Sequence, residues 1–313
     1  MNKEDDKRIA ECCNCLQAAM YSICKKSGIN PFFVLVNGFS IEYGRKSGSF
    51  IREILRLNTP LDFMDYYLNA CGLEIEEVGH RIGDFEELDF YNSEGILVWE
   101  DGYYCPWNDA YGKTHISHFF LAGDYDRNSH SLVCNDPYLD KQEVMLPITV
   151  LQKSQYRIFE IRKVAAKKTI RVESALQLLF SHIEEKEIQS NYSRLTEAIR
   201  KAKEREDLFE SDNPKNCAFN IFTKQISDCY KGLAILFEYI QSAEEYRTIC
   251  DLLSKAKEIW QNINFVLIRL NLKSKNELGS CDALIDILSE AESTEIELLI
   301  IIKSAIGGSR IAV

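Results

Sequence analysis

The hydrophobic pattern divides the chain into two regions with different periods. In residues 1–165 helical and strand patterns are mixed. Asn14 to Lys26 has apolar residues at helical spacing and is followed by Ser27-Gly28, which predicts a helix that stops there. Two more short helices are predicted at 50–57 and 60–71. Short β-rich segments bounded by Gly, Asp or Pro then predict strands at 73–78, 95–99, 118–122, 131–135 and 142–146.

From residue 166 onward the pattern is almost entirely helical. Segments of 3.6 period cover 172–184, 191–205, 218–242, 244–271 and 280–306, and the last four predict a helical bundle. Helices first and a sheet second is the order of an α+β protein rather than of an alternating βαβ fold. We therefore expect residues 1–165 to form an α+β domain with helices packed on a mostly antiparallel sheet. Residues 166–313 should form an α-helical domain.

Composition narrows the class of protein. The chain has 313 residues, 46% of them hydrophobic, which is enough for a substantial core. Its net charge of −11 argues against nucleic acid as the main partner, because phosphate contacts need a basic face. No run of about 18 apolar residues predicts a membrane span. The charged stretch 1–11 lacks the apolar centre of a signal peptide, so the expected location is the cytoplasm and the eleven cysteines should be reduced thiols.

A cysteine cluster near the N-terminus allows two interpretations. Cys12, Cys13 and Cys15 resemble one half of a zinc site, but such a site needs a second close pair of ligands. His115 and His118 are the one candidate pair. We rank zinc well below thiol chemistry, and no metal or bound cofactor is predicted.

Cys15 is the favoured nucleophile because of its position in the predicted helix. Asn14 is a good N-cap, and Gln17 follows it at the spacing of a capping box. Cys15 would then be the first helical residue, where unpaired N–H groups and the helix dipole favour a thiolate and can bind an oxyanion. Cys12 and Cys13 precede the helix and gain less, although either remains an alternative. A buried structural role is the competing interpretation of Cys15.

His118 and Asp136 complete a candidate triad. His118 opens an apolar strand pattern, and Asp136 follows the next predicted strand, 131–135. A hairpin between them would place the start of one strand beside the end of the other, within reach of an imidazole–carboxylate hydrogen bond. His115 is a competing base in a more polar segment. Asp136-Pro137 is also the sequence of an ordinary turn.

These segments together resemble the papain-like N-terminal domain of butirosin biosynthesis protein H and its relatives, a family similar to a class of cysteine peptidases. The resemblance rests on Asn14-Cys15 with Gly28 after the helix, and on Asp136-Pro137. It also rests on residues 98–107 (VWEDGYYCPW) and 118–126 (HFFLAGDYD). It covers about the first half of the chain and implies a papain-like fold there. The helical half fits the family's less regular C-terminal region.

The resemblance implies an acyltransferase that moves an acyl group from a carrier-protein thioester to a small-molecule amine. Cys15 would be acylated, His118 would be the base and Asp136 would orient it. The phosphopantetheine would belong to the partner carrier protein. The glutamine that many papain-like enzymes place before the cysteine is missing, since residues 9–11 are Ile-Ala-Glu. The backbone N–H of Cys15 with Asn14 or Gln17 would have to form the oxyanion hole.

Other functions remain open at this point. A peptidase or isopeptidase would use the same triad, and a non-catalytic scaffold would use the helical half to bind a partner. That half could instead cover the active site, bind the carrier or form a homodimer. Basic residues in 157–171 and 194–205 are candidates for docking an acidic carrier protein, although charge runs are usually solvated helix faces.

Overall fold

The structure is a computed structural model, and it is an α+β protein with a six-stranded antiparallel sheet. It describes residues 7–9, 11–36, 38–43, 55–57, 72–79, 84–113, 115–164, 172–209, 213–214, 217–240, 245–273 and 280–308. The chain forms two compact units. The first comprises residues 1–35 and 62–171, and the second comprises residues 36–61 and 172–313.

The helices and strands alternate irregularly along the chain. The helices are α1 (Cys15–Lys26), α2 (Asp84–Glu87), α3 (Ile148–Leu151), α4 (Val172–Ser181), α5 (Glu185–Lys201), α6 (Ala218–Ile240), α7 (Glu245–Lys273) and α8 (Asp282–Gly308). The strands are β1 (Ile41–Tyr43), β2 (Leu55–Leu57), β3 (Leu73–Gly79), β4 (Gly95–Asp101), β5 (Ser117–Asp126), β6 (Ser131–Asp136), β7 (Lys141–Pro147) and β8 (Tyr156–Lys163). Short 3₁₀ helices cover Pro31–Leu35 and Arg205–Asp207. Within the described residues, no helix combines the length and apolarity needed to cross a membrane.

The sheet of the first unit has the order β3-β8-β4-β5-β6-β7, with every neighbouring pair antiparallel. Five of its strands lie where the alternating pattern predicts them. The sixth, β8, was predicted only as a basic stretch. It is an interior strand because β3 pairs with one of its edges and β4 with the other. Its central residues 158–161 are buried, and the flanking Arg157 and Arg162 are paired with Glu77 and Glu160.

One face of this sheet carries the hydrophobic core of the first unit. Buried side chains of β4, β5 and β6 pack with those of α2 and α3, among them Ile96, Phe120 and Leu132. Helix α1 approaches the beginning of β4 closely. A Cβ atom added to Gly95 would lie 3.0 Å from the Ile23 side chain, so this strand position favours glycine.

The described residues of the second unit form helices and one small sheet. Helix α8 packs against α4, α5 and α7, while α6 packs against α7. Strands β1 and β2 pair antiparallel and contact α5 and α6. The helix predicted at 50–57 is therefore wrong at Leu55–Leu57, where pairing with β1 outweighs helical spacing, and residues 50–54 lie outside the described part of the chain. The helix predicted at 60–71 lies outside the described residues.

Candidate active site

Helix α1 begins at Cys15 and is capped by the side chain of Asn14. The Asn14 Oδ1 accepts a hydrogen bond from the Gln17 N–H, and the Gln17 Oε1 accepts one from the Asn14 N–H, each at 2.9 Å. This reciprocal pair is the predicted capping box. Cys15 is half-buried and occupies the first helical position, where the helix dipole favours an anion.

Gln17 has a second structural contact that bears on the oxyanion hole. Its Nε2 donates to the Val34 carbonyl at 2.8 Å, which ties α1 to the 3₁₀ helix Pro31–Leu35. Both polar ends of this buried amide are therefore held away from a substrate. The contacts favour the Asn14 Nδ2 group and the Cys15 backbone N–H over Gln17 as oxyanion donors. An oxyanion role for either amide stays a prediction.

The other two cysteines of the N-terminal cluster are buried. Cys12 donates its thiol to the Ile9 carbonyl at 3.1 Å, and Cys13 is only 6% exposed. None of the ten cysteines in the described part of the chain forms a disulfide. Those same residues contain no group of three or more His, Cys, Asp or Glu side chains placed to hold a metal ion.

His118 and Asp136 meet at one end of the β5–β6 pair. His118 lies near the start of β5 and Asp136 ends β6, so the antiparallel pairing brings them side by side. The Nε2 of His118 donates to Oδ2 of Asp136 at 2.7 Å. The Trp107 indole N–H donates to the same oxygen at 2.8 Å. The pair is almost fully buried, with side-chain exposures of 2% and 0%.

Asp136 also forms the turn that its sequence predicts. Its Oδ1 accepts hydrogen bonds from the backbone N–H groups of Tyr138 and Leu139, each at 3.2 Å. One carboxylate oxygen therefore closes the turn after β6 while the other faces the imidazole. Asp136 can therefore form an ordinary turn and also orient His118, because each role uses a different carboxylate oxygen.

The electrostatics of the site favour a protonated imidazole. Burial alone would lower the pKa of His118, but its contacts with Asp136 and with the Cys15 thiol raise that pKa to about 9. Burial would raise the pKa of the Asp136 carboxyl, yet the hydrogen bond from His118 holds it below its usual value. Because Nε2 is engaged by Asp136, Nδ1 is the ring nitrogen left for Cys15. The structure thus brings the three predicted residues together.

Two further residues of the site were missed by the sequence analysis. Trp107 shields and holds Asp136, and Glu100 lies directly across the β4–β5 pair from His118. Glu100 is 0% exposed, and burial raises the pKa of its carboxyl to about 7. Both residues are in the segment that carries the family resemblance. Their contacts follow from strand register and loop path, which spacing alone does not fix.

The competing base, His115, is in a different environment. It is exposed, its Nδ1 lies 2.5 Å from Oδ2 of Asp101, and its ring stacks on Tyr103 with centroids 4.5 Å apart. It borders a cleft of about 420 Å³ that is also lined by Ser117 and Lys153 but by neither Cys15 nor His118. His118, rather than His115, is the imidazole that contacts the thiol.

The basic stretch proposed for carrier docking is largely neutralised where it is described. Arg157 pairs with Glu77, and Arg162 pairs with Glu76 and Glu160. In the later candidate stretch, Lys201 pairs with Glu197 on the same helix. Residues 165–171 lie outside the described part of the chain. Docking through these residues stays a prediction.

No protein-family model and no curated protein matches the chain.

Proposed function

We propose that this protein is a cysteine-dependent acyltransferase of papain-like type that forms amide bonds. The observation that carries the proposal is the buried imidazole of His118, which contacts the Cys15 thiol on one side and the Asp136 carboxylate on the other. A nucleophile, a base and a group that orients the base are the set that covalent acyl transfer requires. The half-buried position of Cys15 at a helix N-terminus adds a site for the oxyanion.

In the first half of the reaction, the Cys15 thiolate attacks the carbonyl carbon of an acyl thioester. The tetrahedral oxyanion is stabilised by the Cys15 backbone N–H and the Asn14 side-chain amide. The carbon–sulfur bond to the donor thiol then breaks, and His118 gives its proton to the departing sulfur. The products are acyl-Cys15, a free thiol and a neutral imidazole.

In the second half, an amine attacks the acyl-Cys15 carbonyl while His118 takes its proton. The bond to Cys15 breaks, which releases an amide and restores the thiolate–imidazolium pair. Exchange between thioesters is nearly balanced in free energy and amide formation from a thioester is downhill, so the cycle needs no nucleotide. The complete burial of Asp136 and the Trp107 contact keep water away from the orienting carboxylate.

The proposed donor is a carrier-protein thioester, whose phosphopantetheine arm would reach Cys15. Support for this donor comes from the resemblance of residues 98–107 and 118–126 to the family of butirosin biosynthesis protein H. A peptidase would use the same three side chains and differs only in the bond attacked and in the acceptor. The products, rather than the triad, therefore distinguish the two activities.

The test is intact-mass measurement after incubation with an acyl-pantetheine thioester, with and without a small amine. We expect an acyl adduct on the wild-type protein, its loss and release of an amide when the amine is added, and no adduct on Cys15→Ala. Cys250→Ala is the matched control because Cys250 is another half-buried thiol, and it should behave as wild type. An adduct that persists on Cys15→Ala would overturn the proposal. Cleavage of peptides without amide formation would indicate the peptidase.

A further inference from the structure

Glu100 differs from the other buried carboxylates in having no strong donor. Asp136 accepts from His118, Trp107 and backbone N–H groups. Glu160 is bound by Arg162 at 2.6 Å. Within the described part of the chain, no N–H or hydroxyl group donates to either oxygen of Glu100; the thiol of Cys105, a weak donor, is its hydrogen-bond partner, although the side chain is 0% exposed. A buried carboxyl whose hydrogen-bonding capacity is mostly unfilled is rare and marks a place where strain or chemistry is retained.

The register of the sheet places this carboxyl beside the proposed base. Glu100 and His118 are direct partners in the β4–β5 ladder, so their side chains lie on the same face of the sheet and next to each other. That face points into the core. Ile96 and Val98 of β4 and Phe120 of β5 are buried there, which leaves water little access to either group.

We infer that Glu100 is a positioning residue that acts through His118, stabilising the imidazolium form with a second carboxylate on the side away from Asp136. The inference rests on the proposed function, because it gives Glu100 a part in the thiolate–imidazolium pair. Glu100 itself touches neither Cys15 nor the substrate in this scheme.

The groups around Glu100 point to His118 as its electrostatic partner. Asp101 follows it in β4 and is paired with His115, while the phenol of Tyr156 faces it from β8. The thiols of Cys105 and Cys134 adjoin it from the following loop and from β6, and burial followed by the Glu100 charge raises the pKa of both thiols. These thiols remain neutral, and Asp136 of β6 is an anion. His118 is thus the cation that this described cluster offers to Glu100.

We expect the imidazolium form of His118 to gain stability as pH rises and Glu100 becomes charged. Burial raises the pKa of Glu100 to about 7, with the charge of His118 working in the opposite direction. Below that pH the carboxyl is neutral and the imidazolium depends on Asp136 and Cys15. Above it the second negative charge makes loss of the His118 proton harder. Glu100 therefore extends to higher pH the range in which the imidazolium persists.

The test is NMR titration of His118 in full-length protein carrying ¹⁵N-labelled histidine, with the signal assigned from the spectrum of His118→Gln. The wild-type signal should show a small inflection near pH 7 and its main transition near pH 9. Glu100→Gln should remove the inflection near pH 7 and lower the midpoint of the main His118 transition by about 1 pH unit. Glu160→Gln is the matched control, because Glu160 is a buried carboxyl of the same sheet that lies beside Ile96 rather than His118. This variant should change neither the inflection nor the midpoint.

A single-step wild-type titration would overturn the inference without any variant, so a failure of Glu100→Gln to fold would not protect it. The inference would also fail if Glu100→Gln and Glu160→Gln gave the same His118 midpoint. None of these signals depends on acyl transfer. A His118 shift without acylation of Cys15 would refute the proposed function alone, and acylation without the shift would refute this inference alone.

Discussion

Asp136 in the first unit and Glu295 in the second are both fully buried carboxyl groups with several hydrogen-bond donors, and they differ in what those donors are. In the α+β unit, Asp136 accepts hydrogen bonds from His118 and Trp107. In the helical unit, Glu295 of α8 accepts from Ser40 at 2.6 Å and from the Trp260 indole at 2.9 Å. The Tyr230 hydroxyl also donates to Glu295.

The partners decide the charge of each carboxyl. Burial raises the pKa of Glu295, and its neutral hydroxyl and indole donors lower it by less. For Asp136 the imidazolium outweighs burial, and the pKa falls. The Asp136 cluster also touches a half-buried thiol, whereas the Glu295 cluster joins helices α6, α7 and α8 to the segment before β1. Burial and hydrogen bonds alone therefore do not indicate an active site. A cationic partner beside an accessible nucleophile is the feature that supports the proposed active site.

The largest effect is expected when the His118 imidazole is removed. His118→Gln should lower the rate at which Cys15 is acylated by a thioester by about 10³-fold, because general acid–base assistance is lost. The measurement is the initial rate of adduct formation followed by intact mass. His182→Gln, which alters an exposed histidine of the helical unit, serves as the control and should react at the wild-type rate. A loss of less than tenfold in His118→Gln would contradict the assigned role of the base.

Removing the Glu295 carboxyl should lower the stability of the protein and leave the reactivity of Cys15 unchanged. Glu295→Ala leaves the Ser40, Tyr230 and Trp260 donors buried and unpaired, so we expect the free energy of unfolding to fall by about 3 kcal/mol. Urea denaturation followed by circular dichroism measures this change. Glu297→Ala, at an exposed position of the same helix, should change it little. A slower labelling of Cys15 by iodoacetamide in folded Glu295→Ala would contradict the division of roles.

The contributions of Asp136 and Glu295 to the free energy of unfolding should change with pH in opposite directions. The lowered pKa of Asp136 means that its contribution is present above its unfolded pKa and is lost as pH falls. The raised pKa of Glu295 means that folding favours its protonated form, so its contribution is lost as pH rises above 4.5. The destabilisation by Asp136→Asn should grow as pH rises from about 2 to 5, and that by Glu295→Gln should shrink as pH rises from 4 to 7, each on the order of 1 kcal/mol. Changes of the same sign in both variants would refute the assignment.

The smallest predicted effect concerns the cap of α1. Asn14→Ala should lower the free energy of unfolding by about 1 kcal/mol, because the Gln17 N–H loses its acceptor. Asn14→Asp keeps a capping oxygen and should restore most of that loss. Thermal unfolding measures both. Equal stability of Asn14→Ala and wild type would mean that packing, rather than the capping box, fixes the start of the helix.

Local chemistry made part of the site predictable from sequence. The Asn14 cap and the start of α1 follow from residues three positions apart, and the adjacency of His118 and Asp136 follows from one hairpin. Glu100 and Trp107 depend on register and loop path instead. An interior strand such as β8 was missed because its arginines resemble a solvated basic segment until Glu77 and Glu160 lie beside them.

The arrangement of the chain between units was the least predictable part. Residues 36–61 belong to the helical unit although they come before the sheet in sequence. Their membership depends on long-range contacts such as the Ser40–Glu295 hydrogen bond, which spans 255 positions. Neither composition nor periodicity records a pairing at that distance.

The two oxygens of Asp136 impose a constraint on anyone who wishes to redesign the loop between β6 and β7. Oδ1 is fixed by the N–H groups of Tyr138 and Leu139, so lengthening or shortening that loop rotates the carboxylate and withdraws Oδ2 from the ring of His118. The conformation of this surface loop is therefore coupled to the alignment of the proposed base. Grafts that preserve the Asp-Pro-Tyr-Leu corner should be tolerated where others inactivate.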